Sequence, residues 1–264
     1  MHTELLNDLR NQNPIVFNIS NFVTVQDVAN GINAIGASPI MSQEIDEAPA
    51  MVQISSAVTI NIGTLTTKQI AQAKVVGETA NQYHKPVVLD PVAVGAVKYR
   101  LDAVKELMND FKVDIIRGNA GEIAALADID WQAKGIDAGT GNQDLDLIAK
   151  TCAQKHQCTV ILSGVTDVIS DGEHVVHVKN GTTLFQLHVG SGDMLSSVVA
   201  AFAAVNDNLF EAAQTACAVF ATTGQIVAER LQEERPGTFS TELMDELHLI
   251  TVDEINAKLE VESK

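Results

Sequence analysis

The chain has 264 residues, of which 46% are hydrophobic and 4% aromatic, enough for one large domain or two small ones. Its formal charge of −17 disfavours nucleic acid and anionic membranes as partners, although it does not exclude a phosphorylated ligand at a local site. No apolar stretch reaches the roughly 18–20 residues of a membrane span. The polar, mixed-charge start is unlike a signal peptide, so we expect a cytoplasmic protein.

Five short apolar runs are typical of strands that are covered on both faces of a sheet. They are PIVFNI (14–19), VTINIG (58–63), PVVLDPV (86–92), VDIIRGN (113–119) and TVILSG (159–164). The helical patterns between them lie near 24–35, 66–84, 100–110 and 143–156. This alternation of strand and helix indicates right-handed βαβ units, and therefore an α/β protein with a mostly parallel sheet.

The pattern changes after Gly164. Two short strand patterns flank Asp171-Gly172, a dipeptide typical of hairpins. A glycine-rich helix start follows at 190–193, and the charged end of the chain is expected to form a surface helix and a frayed terminus. Since no linker interrupts these patterns, residues 1–264 are predicted to form a single domain.

Small or polar residues follow each of the five apolar runs. In an open α/β sheet, ligands bind beyond the carboxyl ends of the strands, so these residues are expected to line one site. They are Ser20 and Asn21, Gly63 and Thr64, the turn after Asp90, the segment Gly118–Glu122, and Gly164 with nearby Asp167.

Three carboxylates and one arginine in these segments have two interpretations each. Asp90, Glu122 and Asp193 lie where a carboxylate either caps a helix or serves a ligand site. Arg117 ends a strand of buried type, where it forms either a structural salt bridge or an anion site. Considered singly, none of the four decides between the interpretations.

Together these residues suggest phosphoryl transfer, which needs donors and a cation around the phosphate, a metal held by carboxylates, and a base for the acceptor hydroxyl. Asp193 is the predicted catalytic base. Arg117 supplies the cation, and Asp90 and Glu122 are predicted to hold Mg²⁺ directly or through water. The backbone donors form a predicted anion hole made by Gly190, Ser191 and Gly192.

Other phosphate-binding motifs are missing from the sequence. It contains no GxxxxGK[ST] P-loop, no HRD or DFG kinase set, and no GxGxxG after the first strand. The glycine-rich helix start lies too late in the chain for a dinucleotide fingerprint.

Several segments resemble the hydroxyethylthiazole kinases of the ribokinase-like superfamily. They are NISNFVTVQDVANGINAIGASPIM (18–41), NIGTL (61–65), PVVLDPVAVGAVKYR (86–100), IIRGNAGEI (115–123) and the helix start at 190–193, in family order. The resemblance implies a three-layer αβα sandwich that phosphorylates the primary alcohol of 4-methyl-5-(2-hydroxyethyl)thiazole in thiamine salvage, with ATP and Mg²⁺. It also implies a homotrimer with the thiazole pocket at a subunit interface.

The same resemblance implies roles for individual residues. The positions at the thiazole pocket are Asn21, Met41, Gly63, Thr64 and Gly190. The positions at the nucleotide are Arg117, Ser163 and Asn119. Asp90 and Glu122 fall near metal and phosphates.

The chain departs from the family pattern at several positions. The family commonly has Thr-Gly-Thr-Gly-Cys where this chain has 189–193, so Asp193 replaces a cysteine, as in sugar and pyrimidine kinases of the superfamily. Phe17 replaces a usual histidine, Val28 a cysteine and Ala93 a glycine. These changes leave the identity of the acceptor alcohol open.

Three other functions compete with the thiazole kinase. Hydroxymethylpyrimidine kinase is a rival choice of acceptor, which the segment at 18–41 disfavours. An ADP- or ATP-dependent NAD(P)H-hydrate dehydratase would use the same nucleotide cradle. A non-catalytic binding protein is a third possibility, but it would have no need of Asp193 in the glycine-rich helix start.

Overall fold

The computed structural model describes residues 1–134, 137–140 and 144–264, and in these residues nine strands form one sheet. The strands of the sheet are β1 (Ile15–Ile19), β2 (Ser38–Met41), β3 (Ala57–Asn61), β4 (Val87–Asp90), β5 (Ile115–Asn119), β8 (Thr159–Ser163), β9 (Asp167–Ser170), β10 (Val175–Val178) and β11 (Val261–Ser263). A separate antiparallel pair consists of β6 (Gln132–Lys134) and β7 (Asp137–Thr140).

Helices connect and cover the strands. They are α1 (Leu5–Gln12), α2 (Val25–Ile35), α3 (Ala48–Ile54), α4 (Thr67–Gln82), α5 (Lys98–Asp110), α6 (Ala120–Leu126), α7 (Leu145–His156), α8 (Leu184–Leu187), α9 (Ser191–Ala203), α10 (Leu209–Arg230), α11 (Pro236–Leu249) and α12 (Val252–Lys258). Residue 143, with which the fourth predicted helix begins, lies outside the described residues. In the described part of the chain, no helix combines the length and apolarity needed to cross a membrane.

The sheet is mostly parallel, as predicted. Its strand order is β11-β10-β9-β8-β5-β4-β3-β1-β2, and the six strands from β8 to β2 pair in parallel. The remaining three strands add antiparallel to that edge. Strands β9 and β10 pair on either side of Asp171-Gly172, which confirms the predicted hairpin.

Two hydrophobic cores separate the sheet from helices on its two faces. Successive side chains of a strand point to opposite faces, so Val16 belongs to one core and Phe17 to the other. The first core joins the sheet to α1, α2 and α9–α12, and the second joins it to α3–α7. This arrangement is the predicted three-layer α/β sandwich.

The last part of the chain differs from its prediction. The predicted surface helix is present as α11 and α12, each of which has an exposed face, but the predicted frayed terminus is wrong, because the chain ends in β11. Leu243 and Leu247 of α11 and Ile255 of α12 are fully buried in the first core, because each helix turns one face toward it. Strand β11 pairs with β10 and so satisfies the backbone groups of an edge strand.

The same alternation places polar side chains under α9. Ile60, Leu89, Ile116 and Leu162 belong to the second core, so the next residue of each strand points to the opposite face. These next residues are Asn61, Asp90, Arg117 and Ser163. They end or nearly end four adjacent parallel strands, so they line one edge of the sheet beneath the start of α9.

Candidate active site

Helix α9 begins with a loop whose backbone fits closely against its neighbours. Gly190 has a φ of 98°, in the left-handed region, and a Cβ on it would lie 2.7 Å from Thr24 Cγ2. A Cβ on Gly192 would collide with the guanidinium of Arg117. Ser191 is buried, and its Oγ donates to the carbonyl of His188 at 2.8 Å. The two glycines therefore let the helix start approach both Thr24 and Arg117.

Asp193 is held from outside its own helix. Its Oδ2 accepts hydrogen bonds from Asn21 Nδ2 and Thr24 Oγ1, both at 2.6 Å. Its Oδ1 accepts one from Asn61 Nδ2 at 3.0 Å. The N-cap residue Gly190 has no side chain to cap α9, and the N–H of Ser191 donates to the carbonyl of His188 at 3.2 Å. Within the described residues, the N–H groups of Gly192 and Asp193 have no such acceptor, so they stay available to an anion.

Asp90 is a buried carboxylate between donors and a cation. Its Oδ2 accepts from Ser196 Oγ at 2.7 Å and from Asn61 Nδ2 at 3.0 Å, and it lies 3.6 Å from Arg117 Nη1. Burial raises the pKa of Asp90 to about 7, against the lowering effect of the Arg117 charge. The negative charges of Asp193 and Glu122 raise that pKa further.

Glu122 closes the start of α6. Its Oε2 accepts from the backbone N–H of Asn119 at 2.8 Å, while Asn119 Oδ1 accepts from the Glu122 N–H at 3.0 Å, which is a capping box. Its Oε1 accepts from the Ala93 N–H at 2.7 Å. Burial raises the pKa of Glu122, and these two backbone donors oppose that shift.

Arg117 keeps part of its hydrogen-bonding capacity. Its side chain is 15% exposed, and its salt bridge to Asp90 is a single contact at 3.6 Å. Its Nε is buried and has no hydrogen-bond partner among the residues that the structure describes. Because the guanidinium lies against Gly192, its donors face the region where an anion would meet the start of α9.

Oxygen ligands for a cation are present in a limited number. Across the ranges that the structure describes, no group of three or more acidic, histidine or cysteine side chains could hold a metal alone. Asp90 Oδ1 accepts no hydrogen bond from the described residues, so it is available to a cation. Two carboxylates completed by phosphate and water oxygens suit Mg²⁺, and the residues present therefore fit it.

The predicted thiazole residues lie after β1 and β3 and in β2. Asn21 Oδ1 accepts from the backbone N–H groups of Val23 at 3.0 Å and Thr24 at 3.2 Å, which fixes the orientation of its amide. Thr64 Oγ1 accepts from the Phe22 N–H at 3.2 Å, so the two loops contact each other. The Gly63 N–H donates to Asn61 Oδ1 at 2.8 Å.

Met41 and Ser163 lie at opposite ends of the predicted site residues along this edge of the sheet. Met41 is half-buried on β2, where it pairs in register with Asn18 of β1. Ser163 ends β8, pairs in register with Asn119, and donates to the carbonyl of Gly118 at 3.3 Å. The strand order thus separates the predicted nucleotide residues on β5 and β8 from the predicted thiazole residues, and Asp193 contacts Asn61 on β3, two strands from β5.

Four contributing residues were missed by the sequence analysis: Thr24, Asn61, Arg100 and Ser196. Asn61 was a recognisable signal, since it is a buried amide at the end of an otherwise apolar strand. Arg100 reaches from α5 to the carbonyls of Ile62, Gly63 and Val92, which ties together the loops after β3 and β4.

Two of the departures from the family pattern lie away from this edge. Phe17 is fully buried in the second core, on the face of the sheet opposite α9, and Val28 is buried in the first core. Ala93 adopts a φ of 65°, a left-handed conformation that glycine adopts more readily. Its N–H is nevertheless the donor that Glu122 accepts.

Comparisons with known proteins agree over nearly all of the chain. The model of the "Hydroxyethylthiazole kinase family" matches residues 6–253. The chain is 65% identical to a hydroxyethylthiazole kinase of Lactiplantibacillus plantarum, over 99% of the chain and 100% of that relative. The solved structure of a hydroxyethylthiazole kinase protein from Pyrococcus horikoshii matches with a TM-score of 0.90 and 33% identity, covering 99% and 98% of the two chains. A pyridoxal kinase from Staphylococcus aureus, 14% identical, shares the fold with a TM-score of 0.65 and coverages of 95% and 98%.

Proposed function

Because the chain belongs to the hydroxyethylthiazole kinase family, as its sequence resemblance indicated, we propose a mechanism built from the residues under α9. The enzyme is a phosphotransferase that phosphorylates the primary alcohol of 4-methyl-5-(2-hydroxyethyl)thiazole in thiamine salvage. We propose that the phosphoryl donor is ATP, that the metal is Mg²⁺, and that each residue has the role given below.

One observation carries the mechanism: the uncapped start of α9 lies against Arg117 and holds Asp193 within the same turn. The anion hole of Gly190, Ser191 and Gly192, together with the guanidinium of Arg117, binds the phosphoryl group of ATP that is transferred. To donate there, the Ser191 N–H exchanges its bond to the His188 carbonyl for one to the phosphate. The nucleotide continues along β5 and β8, where Asn119 and Ser163 end their strands.

Asp193 acts as the general base. The acceptor hydroxyl attacks the terminal phosphorus, the new O–P bond forms as the bond to the ADP oxygen breaks, and the hydroxyl proton passes to Asp193. A carboxylate beside a phosphate site is electrostatically costly. The three neutral donors from Asn21, Thr24 and Asn61 reduce that cost, because they stabilise the negative charge of the carboxylate.

Asp90 and Glu122 would hold Mg²⁺ together with phosphate oxygens, directly or through water. When it is bound, the ion neutralises charge on the phosphates during transfer. Both carboxyls have raised pKa values because they are buried, and a nearby cation favours their ionised forms.

The acceptor alcohol lies at the end of the site formed by β1 and β2, against Asn21, Met41, Gly63 and Thr64.

We further propose that residues 1–264 form one domain and that three copies assemble at the β1–β2 end of the site. Exposed apolar side chains flank the site there, and they support an interface: Phe22, Val23, Leu187 and Val189. Light scattering tests the assembly, and a fully active monomer would contradict it.

A panel of acceptors tests the proposed function. With ATP and Mg²⁺, we expect phosphorylation of the thiazole alcohol in preference to hydroxymethylpyrimidine, pyridoxal and a sugar, with the phosphate located by mass spectrometry. Preference for another alcohol would overturn the acceptor assignment. Hydrated NADH should remain unchanged, and its dehydration would instead favour the lyase.

A further inference from the structure

Thr24 departs from the ordinary behaviour of a threonine at the start of a helix. It occupies the N-cap position of α2, where a hydroxyl usually accepts a hydrogen bond from the first turn. Here the side chain makes no capping hydrogen bond with α2 in the described residues. Its Oγ1 lies 2.6 Å from Asp193 Oδ2 instead, although the two residues are 169 positions apart.

The hydrogen-bond partners determine where the single hydroxyl hydrogen of Thr24 points. Asn21 Oδ1 also lies within reach, at 3.1 Å, but it already accepts from the backbone N–H groups of Val23 and Thr24. Two such bonds occupy both lone pairs of an amide oxygen. The hydroxyl therefore donates to the carboxylate of Asp193, the closer of the two acceptors.

The two oxygens of Asp193 consequently differ. Oδ2 accepts two bonds of 2.6 Å, from Asn21 and Thr24, and so has no lone pair left. Oδ1 accepts only the bond of 3.0 Å from Asn61 within the described residues. One lone pair of Oδ1 remains to receive a proton.

We propose that Thr24 is a positioning residue of the phosphoryl transfer: with Asn21, its hydroxyl fixes Asp193 Oδ2 and leaves Oδ1 to take the proton of the acceptor alcohol. This inference rests on the proposed role of Asp193 as the base. The methyl group of Thr24 packs against the loop before α9, since it lies 2.7 Å from where a Cβ on Gly190 would be. Hydroxyl and methyl therefore serve the base and the phosphate loop respectively.

Two conservative substitutions separate these contributions. Thr24→Val keeps the shape and removes the hydroxyl, so kcat should fall by about 10- to 100-fold through misplacement of the base. The KM for ATP should stay near the wild-type value, since Thr24 lies away from β5 and β8. Thr24→Ser keeps the hydroxyl and should restore most of kcat. The melting temperature of Thr24→Val should fall by only about a few degrees, because one hydrogen bond to a carboxylate is lost while α2 loses no cap.

Thr59→Val is the matched control. Thr59 is buried on β3, and its Oγ1 has no hydrogen-bond partner in the described residues, so loss of that hydroxyl should leave kcat unchanged. A second comparison combines Thr24→Val with Asp193→Asn. If the hydroxyl acts through Asp193, the double variant should be no slower than Asp193→Asn alone.

The outcomes distinguish this inference from the proposed function. Wild-type kcat in Thr24→Val, an equal loss in Thr24→Ser, or a further loss in the double variant would overturn the role of Thr24 while Asp193 remains the base. Near-normal turnover of Asp193→Asn would overturn the base and this inference together. If Thr24→Val does not fold, comparison of Thr24→Ser with Thr24→Ala replaces it, and equal kcat values for those two would overturn the inference.

Discussion

Helices α6 and α9 begin with the same spacing, since each has a glycine two residues and an acid three residues after its N-cap. The segments are Asn119–Glu122 and Gly190–Asp193. In α6 the N-cap side chain and Glu122 close the helix start reciprocally. In α9 the N-cap is a glycine, and Asp193 turns to residues of other elements.

The difference shows that an acid near a helix start has no fixed meaning. Glu122 satisfies backbone donors of its own helix and of the loop after β4, so its start is occupied. Asp193 accepts its hydrogen bonds from Asn21, Thr24 and Asn61 instead of from the backbone donors of α9. The N-cap residue therefore decides which helix start is available to an anion.

The largest expected effect is on turnover, when Asp193 at the uncapped start of α9 is replaced. Asp193→Asn should lower kcat by about 10²- to 10⁴-fold, because an amide cannot accept the proton of the alcohol. Titration calorimetry should show that the variant still binds nucleotide. A variant with unchanged turnover would remove the functional distinction between the two helix starts.

A smaller effect is expected from replacing Gly192 at the start of α9. Gly192→Ala should lower kcat/KM for ATP by about 10²-fold, since its Cβ would displace the guanidinium of Arg117 from the phosphate. Gly237→Ala in α11 is the control, because nothing lies within 4 Å of its added Cβ. Equal kinetics of the two variants would contradict the close approach of Arg117.

Substitution at the capped start of α6 should mainly change the stability of the protein. Asn119→Ala removes one half of the capping box and should lower the free energy of unfolding by about 1 kcal/mol, as measured with urea. Thr251→Ala in α12 is its matched control, since it breaks another capping box at a distance from the site. Both should lose similar stability, but only Asn119→Ala should also affect nucleotide binding. An effect of Thr251→Ala on binding would show that the loss is general.

The smallest effect concerns pH. Burial raises the pKa of Asp167 from 3.8 to about 6, so the folded protein retains a proton that the unfolded chain releases in this window. Asp167 therefore lowers stability progressively as pH rises from about 4 to about 6. Asp167→Asn should flatten this part of the stability profile, measured by urea unfolding at a series of pH values. Part of the slope should remain, since the pKa of Asp90 is also raised, to about 7. An unchanged slope would show that Asp167 does not titrate in this range.

Much of the fold was predictable because the strands are nearly all apolar. Each predicted run overlaps one strand, β1, β3, β4, β5 or β8, and both ends of that strand lie within two residues of the ends of the run. Strand β2 was missed because Ser38–Met41 is too short and too mixed to show a pattern. Strand β11 was missed because it depends on which strand lies beside it, and local spacing does not specify that.

The candidate site was predictable only in part. Strand ends identified Asp90 and Arg117, because the fold brings the carboxyl ends of parallel strands to one edge. Ser163 was identified only through the family resemblance. The contacts of Asp193 with Thr24 and Asn61 span 169 and 132 positions, a distance at which sequence patterns carry no pairing information. The assigned roles of all these residues stay predictions until the variants are measured.

These long sequence separations determine when the site can assemble during translation. The residues that hold Asp193 are made early, and Asp193 itself follows 132 to 172 positions later. A ribosome-bound chain that has not reached α9 has Asn21, Thr24 and Asn61 without their acceptor, and therefore no proton acceptor for the reaction. If the chain is divided before α9, each fragment alone should be inactive, and turnover should return only when the two fragments reassemble. The chain is therefore suited to a split reporter.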